Sequence, residues 1–432
     1  MKVTADLHLH SRFSRAVSSQ MNVSTIANWA VKKGIDLVAT GDWTHPLWLR
    51  ELEANLKENE EGIYRLKGSD KNSPGFILST EISSVYLQSG KSHRIHYLVF
   101  APNFEVIEKV NKELTKKGVN LLSDGRPILG MSVKVVAEVL WNIDKRIIII
   151  PAHAWTPWFS LYGSISGFES IRECFGEFAE NIFAIETGLS SDPAMNWRIG
   201  ELNSKNIVSF SDAHSPAKLG REMTIFNLES LSFENLRNSL MNPQGISHTI
   251  EFYPEEGKYH YTGHRNCKIV YSPNDTRKRG ITCPVCGKPL TVGVMSRVEH
   301  LAKKEIETES FIDEFGVRWI KSKDQNRAPY VMMVPLLEII SESLASGETS
   351  QKVLQIYDQL VNNFGSEYKV LLETALSELE KATYPKVVEG IKKVRLGDIQ
   401  ILPGYDGVYG VVKIWREEEH VSVPFDQGHL FD

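Results

Sequence analysis

Histidine and carboxylate side chains recur at the ends of apolar runs through the first 214 residues of this 432-residue chain. His8 and His10 close the first run, and Asp42 follows the second. Glu81 sits within Leu78–Ser83 and His96 within Ile95–Leu98. His153 follows Ile147–Pro151, and Asp212 and His214 follow Ile207–Ser211. In a strand, residues i and i+2 face the same way. His8/His10 and Asp212/His214 can therefore each present two donors to one side. Imidazole nitrogen and carboxylate oxygen together suit Zn²⁺, Mn²⁺ or Fe. Eight such donors exceed the needs of a single ion, so they predict a cluster of two or three divalent cations with Glu81 bridging. A lone His-x-His is a weak signal, and His153 alone reads as a core histidine. The coincidence across several runs carries the prediction. His45 is a substitute ligand, and His93 reads as a loop residue.

A second constellation lies further on. His264-x2-Cys267 and, fifteen residues later, Cys283-x2-Cys286 have the paired spacing of a structural zinc site. Gly263 precedes the first pair and Gly287 follows the second, as zinc knuckles require. Cys174 stands apart in an aromatic segment and reads as a buried small hydrophobe. With four cysteines in all, a disulfide scaffold is excluded. The net charge of −5 excludes a uniformly basic coat, but residues 257–304 carry ten Lys/Arg against Asp275 and Glu299. This local +8 leaves −13 elsewhere and favours nucleic acid over a small phosphate ester as partner.

These residues need elements to place them. Val3–Leu9, Ile35–Thr40, Phe76–Ser83, Arg94–Phe100, Arg146–Ile150, Ile182–Ile185 and Ile207–Ser211 read as strands. Helices are expected from Ser24 to Gly34 and over Val133–Ile143. The alternation predicts an α/β fold with a mainly parallel sheet, open or closed into a barrel, with its site at the C-terminal strand ends. Residues 231–256 read as a connection. Tyr330–Leu344, Lys352–Asn363 and Val370–Glu380 have helical spacing, and two short strands flank Pro403-Gly404. No signal peptide is visible at the N-terminus, and no apolar run approaches a membrane span. The expected location is cytoplasmic, and the expected state is a monomer.

Asp6-Leu7-His8-Leu9-His10-Ser11, Thr40-Gly41-Asp42-Trp43, Glu81, His96, His153 and Ser211-Asp212-Ala213-His214 together resemble, in order, the motifs of the PHP (polymerase and histidinol phosphatase) superfamily. The resemblance covers residues 1–230. It implies a distorted (β/α) barrel, a trinuclear metal site and phosphoester hydrolysis. His8, His10, Glu81 and Asp212 would then hold one metal and act in catalysis, and Glu81, His96 and His153 would hold the second. Trp43 occupies the family's usual His position, which leaves Asp42, His214 and His45 for a weaker third ion. The cations would be Zn²⁺, with Mn²⁺ or Mg²⁺ as alternatives.

The order of barrel, Gly263–Cys267 knuckle, Cys283–Leu290 knuckle and helical tail, together with Glu186–Arg198, resembles the endonuclease Q family. That resemblance implies a DNA repair endonuclease cutting 5′ of deaminated bases (uracil, hypoxanthine, xanthine) or abasic sites. The implied organisation is a metal-dependent catalytic domain over 1–230, a connection over 231–256, a DNA-binding zinc ribbon over 257–304, a helical region with short strands over 305–415 and a tail over 416–432. An enzyme that inspects a base extrudes it against aromatic side chains, so Trp155, Trp158 and Asn196 are candidates for a base pocket. Ordinary core packing is the alternative for these aromatics. Gln427, Leu430 and Phe431 resemble a sliding-clamp peptide, for PCNA or the bacterial β-clamp. Two other readings compete: a phosphatase for a small phosphate ester, and a non-catalytic DNA-binding repair factor.

Overall fold

The computed structural model describes residues 1–70, 73–323 and 327–416. The clamp-like residues Gln427, Leu430 and Phe431 lie outside them. The fold is α/β, with a barrel at its centre. Strand Lys2–Asp6 pairs in parallel with Leu37–Ala39, which pairs in parallel with Gly75–Ile77. The chain continues into Ser79–Gln88, which forms a ten-pair antiparallel hairpin with Lys91–Phe100. Ile148–Pro151 adds to that hairpin. Ala184–Glu186 and Asn206–Val208 form a parallel pair beside it, joined through Ala154 N–H to Glu186 O at 3.1 Å. The ring closes where Leu9 bridges Ala213 and Ser211 N–H donates to the buried Asp6 carboxylate at 3.0 Å.

The sheet is mixed rather than mainly parallel, and local chemistry explains the hairpin. Its turn is Ser89-Gly90, both with positive φ (51° and 78°). That is the geometry of the two-residue turns that match strand twist.

Helix caps follow the expected chemistry with small shifts. Asn22, not Ser24, caps Val23–Lys33, accepting from Thr25 N–H at 3.0 Å, and Gly34 ends the helix at φ 82°. Ser132 caps Val133–Ile143. Their apolar faces cover the barrel with Leu, Ile and Val side chains that are almost wholly buried.

Residues 231–256 are more than a connection. They form helix Phe233–Met241 and strand Ile246–Glu251, which pairs with Met223–Asn227. Strands Thr308–Ile312, Arg318–Ser322 and Tyr330–Met332 then extend the same sheet. The helix expected from Tyr330 therefore starts only at Leu336, because Pro335 removes a donor and fixes the entry. The Val370–Glu380 segment is two short helices, Glu367–Leu372 and Leu376–Leu379. Strands Gln400–Leu402 and Val411–Lys413 pair as expected around Pro403-Gly404. No helix among the described residues is long and apolar enough to cross a membrane.

Candidate metal centre and cleft

The barrel brings the strand-end donors to one place. Just beyond the strands, the backbone turns sharply: Asp42, His153 and Asp212 all have positive φ (50°, 29° and 46°). Non-glycine residues adopt this region at an energetic penalty, and they concentrate at functional sites. Three donor groups result, each with its ligand atoms within 4.8 Å of one another: His8, His10 and Glu81; Glu81, His96 and His153; and His10, Asp212 and His214. Glu81 and His96 share a face of the hairpin as diagonal neighbours, since Glu81 opposes Leu98 and Ser83 opposes His96. Glu81 Oε1 lies 2.8 Å from His96 Nδ1 and 3.1 Å from His153 Nε2. Its other oxygen accepts from Arg126 at 3.0 Å.

His8 Nε2 lies 3.5 Å from Asp212 Oδ1 and 3.8 Å from Glu81, and His10 Nε2 lies 3.2 and 3.4 Å from the same two carboxylates. Neither nitrogen makes a well-directed hydrogen bond, although both are buried. Buried nitrogens left in this way are costly unless something else engages them. Donors that converge without bonding one another fit divalent cations, and the donor set is right for Zn²⁺ or Mn²⁺. Charge agrees. Burial pulls His8 down, but Glu186, Asp212 and Glu81 outweigh it and lift the ring to about 9. At His96 burial prevails over Glu81 and holds the ring at about 4. Burial raises Glu81, yet His96 and Arg126 carry it well below the usual carboxylate range.

Asp42 does not join these groups as a ligand. Its Oδ1 is engaged by His10 Nδ1 at 3.0 Å, and Oδ2 accepts from Ser11 N–H, Ser11 Oγ and Ser14 Oγ at 2.6–2.8 Å. It orients His10 from behind, as carboxylates commonly do at metal-bound histidines. His45 is also outside the groups, stacked on Phe13 at 4.6 Å. His214 pairs with His10 and Asp212 instead of Asp42 and His45. His93 is a buried strand residue, stacked at 3.8 Å on Phe168.

Glu186 is the residue to which sequence reasoning assigned no role. It ends strand Ala184–Glu186 and is wholly buried. His8 Nδ1 donates to its two oxygens at 2.9 and 3.1 Å, and His153 N–H donates to Oε2 at 2.7 Å. It thus does for His8 what Asp42 does for His10. Its position after Ile182–Ile185 was the same strand-end signal that marked the other donors.

The donors open into a cleft of about 750 Å³. His96, His153 and Asp212 form its floor, with Arg94, Arg126, Lys218, Arg221 and Lys258 around them and Trp158, Phe159, Tyr259 and Tyr409 among its walls. Of the three residues expected at a base pocket, Trp158 lines this cleft, and Trp155 and Asn196 do not. Both are fully buried, and Trp155 Nε1 donates to Asn196 Oδ1 at 2.8 Å. They are core, and Asn196 Nδ2 donates in turn to Ser191 Oγ at 3.0 Å and Asp192 O at 2.8 Å.

The second constellation folds as paired knuckles. Hairpin Thr262–His264/Ile269–Tyr271 carries one pair. The other turns through Gly287 N–H to Cys283 O at 2.9 Å. His264, Cys267, Cys283 and Cys286 converge within 4.8 Å. Burial raises the Cys283 thiol, but the N–H groups of Cys286 and Val285 and the His264 ring outweigh it and hold it at about 6. A thiolate there suits zinc.

Comparison with known proteins agrees with this architecture. Residues 335–398 match the family model described as the MJ0043 C-terminal domain. Uncharacterized protein MJ0043 of Methanocaldococcus jannaschii is 32% identical over 280 residues, 62% of this chain, and the match spans only a third of that protein's length. The crystal structure of the lesion-specific endonuclease PfuEndoQ from Pyrococcus furiosus is 31% identical, with a TM-score of 0.81 over 98% of both chains. Endonuclease Q in complex with a 27-mer duplex substrate bearing an abasic lesion at the active site is likewise 31% identical, with a TM-score of 0.81 over 99% of this chain and 100% of that one. At this identity, with near-complete coverage of both chains, this chain belongs to the endonuclease Q family of hydrolytic enzymes.

Proposed function

We propose that the protein is a divalent-metal-dependent DNA repair endonuclease. It nicks the phosphodiester on the 5′ side of a deaminated base (uracil, hypoxanthine or xanthine) or of an abasic site. The observation that carries this reading is the abutment of three converging donor groups, one of them wholly buried, on a basic, aromatic-walled cleft. The 31% identity to an endonuclease Q bound to abasic duplex supports the substrate class.

His8, His10, Glu81 and Asp212 are assigned to one metal, and Glu81, His96 and His153 to a second. His10, Asp212 and His214 offer a third position. Bound divalent cations supply Lewis-acid charge and lower the pKa of coordinated water. The chain's own residues hold the rest of the chemistry. Glu186 and Asp42 fix the tautomers of His8 and His10 so that Nε2 of each faces the cleft floor. Arg126 and Arg94 place positive charge where a phosphate enters. The zinc ribbon, with its net +8, docks the duplex through phosphate contacts. Trp158 is assigned to the pocket that receives the extruded nucleotide. The Gln427–Phe431 peptide is assigned to clamp tethering, and work on DNA places the protein inside the cell.

The test incubates protein and Mn²⁺, Mg²⁺ or Zn²⁺ with duplexes carrying deoxyuridine, deoxyinosine or an abasic site, beside undamaged duplex and p-nitrophenyl phosphate. A lesion-dependent nick on the 5′ side, abolished by EDTA, is expected. Nitrophenol release with every duplex intact would overturn the reading.

A further inference from the structure

The loop between strands Gln400–Leu402 and Val411–Lys413 contributes no metal donor, yet it reaches the cleft through Tyr409. This tyrosine is 68% exposed. Large exposed apolar surface at one place is the observation that asks for an explanation. The loop beneath it is held in one shape. Gly404 N–H donates to Glu255 O at 2.8 Å, Gly407 N–H to Lys258 O at 2.8 Å and Gly410 N–H to Glu256 O at 2.9 Å. A Cβ on Gly410 would sit 2.1 Å from Glu255 O, and one on Gly404 would sit 2.5 Å from Gly257 O. Asp406 ties the same loop to the ribbon, accepting from Arg265 N–H at 2.7 Å and Thr291 Oγ1 at 2.6 Å.

An aromatic row runs from this loop to the donors. Lys258 Nζ lies 5.7 Å from the ring centres of both Tyr409 and Tyr259. Tyr259 meets Trp158 edge-on at 5.4 Å, and Phe159 lies 4.8 Å from the His96 ring. A clamped loop that exposes a flat ring at one end of such a row is preorganised for a flat partner.

We propose that Tyr409 is a DNA-contacting residue that stacks on a base beside the lesion and holds the duplex open, with Lys258 beside it for the adjoining phosphate. The inference rests on the endonuclease reading. Stacking of a base on an aromatic residue is worth about 5- to 150-fold in affinity when removed. The test compares nicking of a lesion in a fully paired duplex with the same lesion inside a mismatched bubble, where opening is already done. Tyr409→Ala should lose roughly 5- to 150-fold on the paired duplex and only a small factor on the bubble. Tyr409→Trp should restore paired-duplex nicking. Equal losses on both substrates, or paired-duplex nicking by Tyr409→Ala at the wild-type rate, would overturn the role of Tyr409 alone. Wild-type protein that leaves every lesion duplex intact would instead refute the endonuclease reading, and this inference with it.

Discussion

Replacing Glu186 by Gln keeps the volume of the side chain and removes its charge and one acceptor. In the wild type both oxygens are used: His8 Nδ1 donates to the pair at 2.9 and 3.1 Å, and His153 N–H donates to Oε2 at 2.7 Å. An amide has only one oxygen. Whichever way it is turned, an NH₂ group faces either the His8 donor or the His153 N–H. Glu186 is 0% exposed, so water cannot compensate. A buried donor left unpaired costs about 1–3 kcal/mol, which is about 5- to 150-fold in an equilibrium. Independently, partners that orient metal-bound histidines are worth about 10- to 100-fold in metal affinity or activity. The two ranges overlap, so we expect the half-activating metal concentration to rise by about 10- to 100-fold. Saturating metal should restore most of the rate. The assays are metal content after dialysis, by mass spectrometry, and nicking against metal concentration. A Glu186→Gln protein with wild-type metal affinity and rate would refute the reasoning. So would a lost rate that metal cannot restore in a protein whose metal content is unchanged.

Three further outcomes follow from other parts of the chain. Cys283→Ser should release the ribbon zinc, detected by a colorimetric chelator, and weaken duplex binding while the barrel keeps its metals; unchanged zinc content would show that the four residues do not form the site. Glu251 and Glu222 are both raised, first by burial and then, at Glu222, by the charge of Glu251, with Glu251 reaching about 8. Because the folded values lie above the ordinary carboxyl value, their stabilisation is complete below it and is lost as pH rises through about 8. The melting temperature should therefore fall over that window, and less steeply in Glu222→Gln; parallel profiles would refute the coupling. Arg395 is buried and donates to the carbonyls of Val370, Leu371, Thr374 and Phe315 at 2.6–2.9 Å. Arg395→Leu should accelerate hydrogen exchange in Glu367–Leu372 and Pro385–Leu396 by at least about 100-fold, because each orphaned buried carbonyl costs about 1–3 kcal/mol; unchanged protection would exclude that role.

The donor cluster was legible in the sequence because strand periodicity and strand ends are local signals. His8/His10, Glu81, His96, His153 and Asp212/His214 each end or occupy a run that can be read without knowing its neighbours. The convergence of His264, Cys267, Cys283 and Cys286 was legible for the same reason, since both pairs are short-range. What the sequence could not separate was a ligand from its orienter. Asp42 and Glu186 are both carboxylates at strand ends, chemically indistinguishable from Glu81 and Asp212. Their roles depend on what donates into them: Ser11 and Ser14 saturate one oxygen of Asp42, and His153 N–H engages Glu186. Those partners come from other elements, so the distinction exists only once the barrel has closed. Trp155 and Trp158 show the same limit. Three residues apart in one aromatic segment, one turns inward to Asn196 and the other lines the cleft.

Separation into independent blocks was the reading most changed by the fold, and the change bears on function. Strands Arg318–Ser322 and Tyr330–Met332 join the sheet that contains Lys2–Asp6, the strand leading to His8 and His10. Lys33 and Glu367, both buried, pair at 2.7 Å and bind the first barrel helix to the C-terminal helices. On the other side, Arg297 of the ribbon donates to Tyr162 O and Phe168 O at 2.9 and 3.0 Å, in the segment that follows His153. Asp406 holds the ribbon from the C-terminal loop. The ribbon is therefore anchored at two points, one beside a metal donor and one beside the cleft mouth. A tethered ribbon on a flexible linker would raise DNA affinity and leave the cut position undefined. On the proposed endonuclease reading, a ribbon fixed at both points would set the path of the duplex relative to the donors, as a nick at one defined phosphate requires.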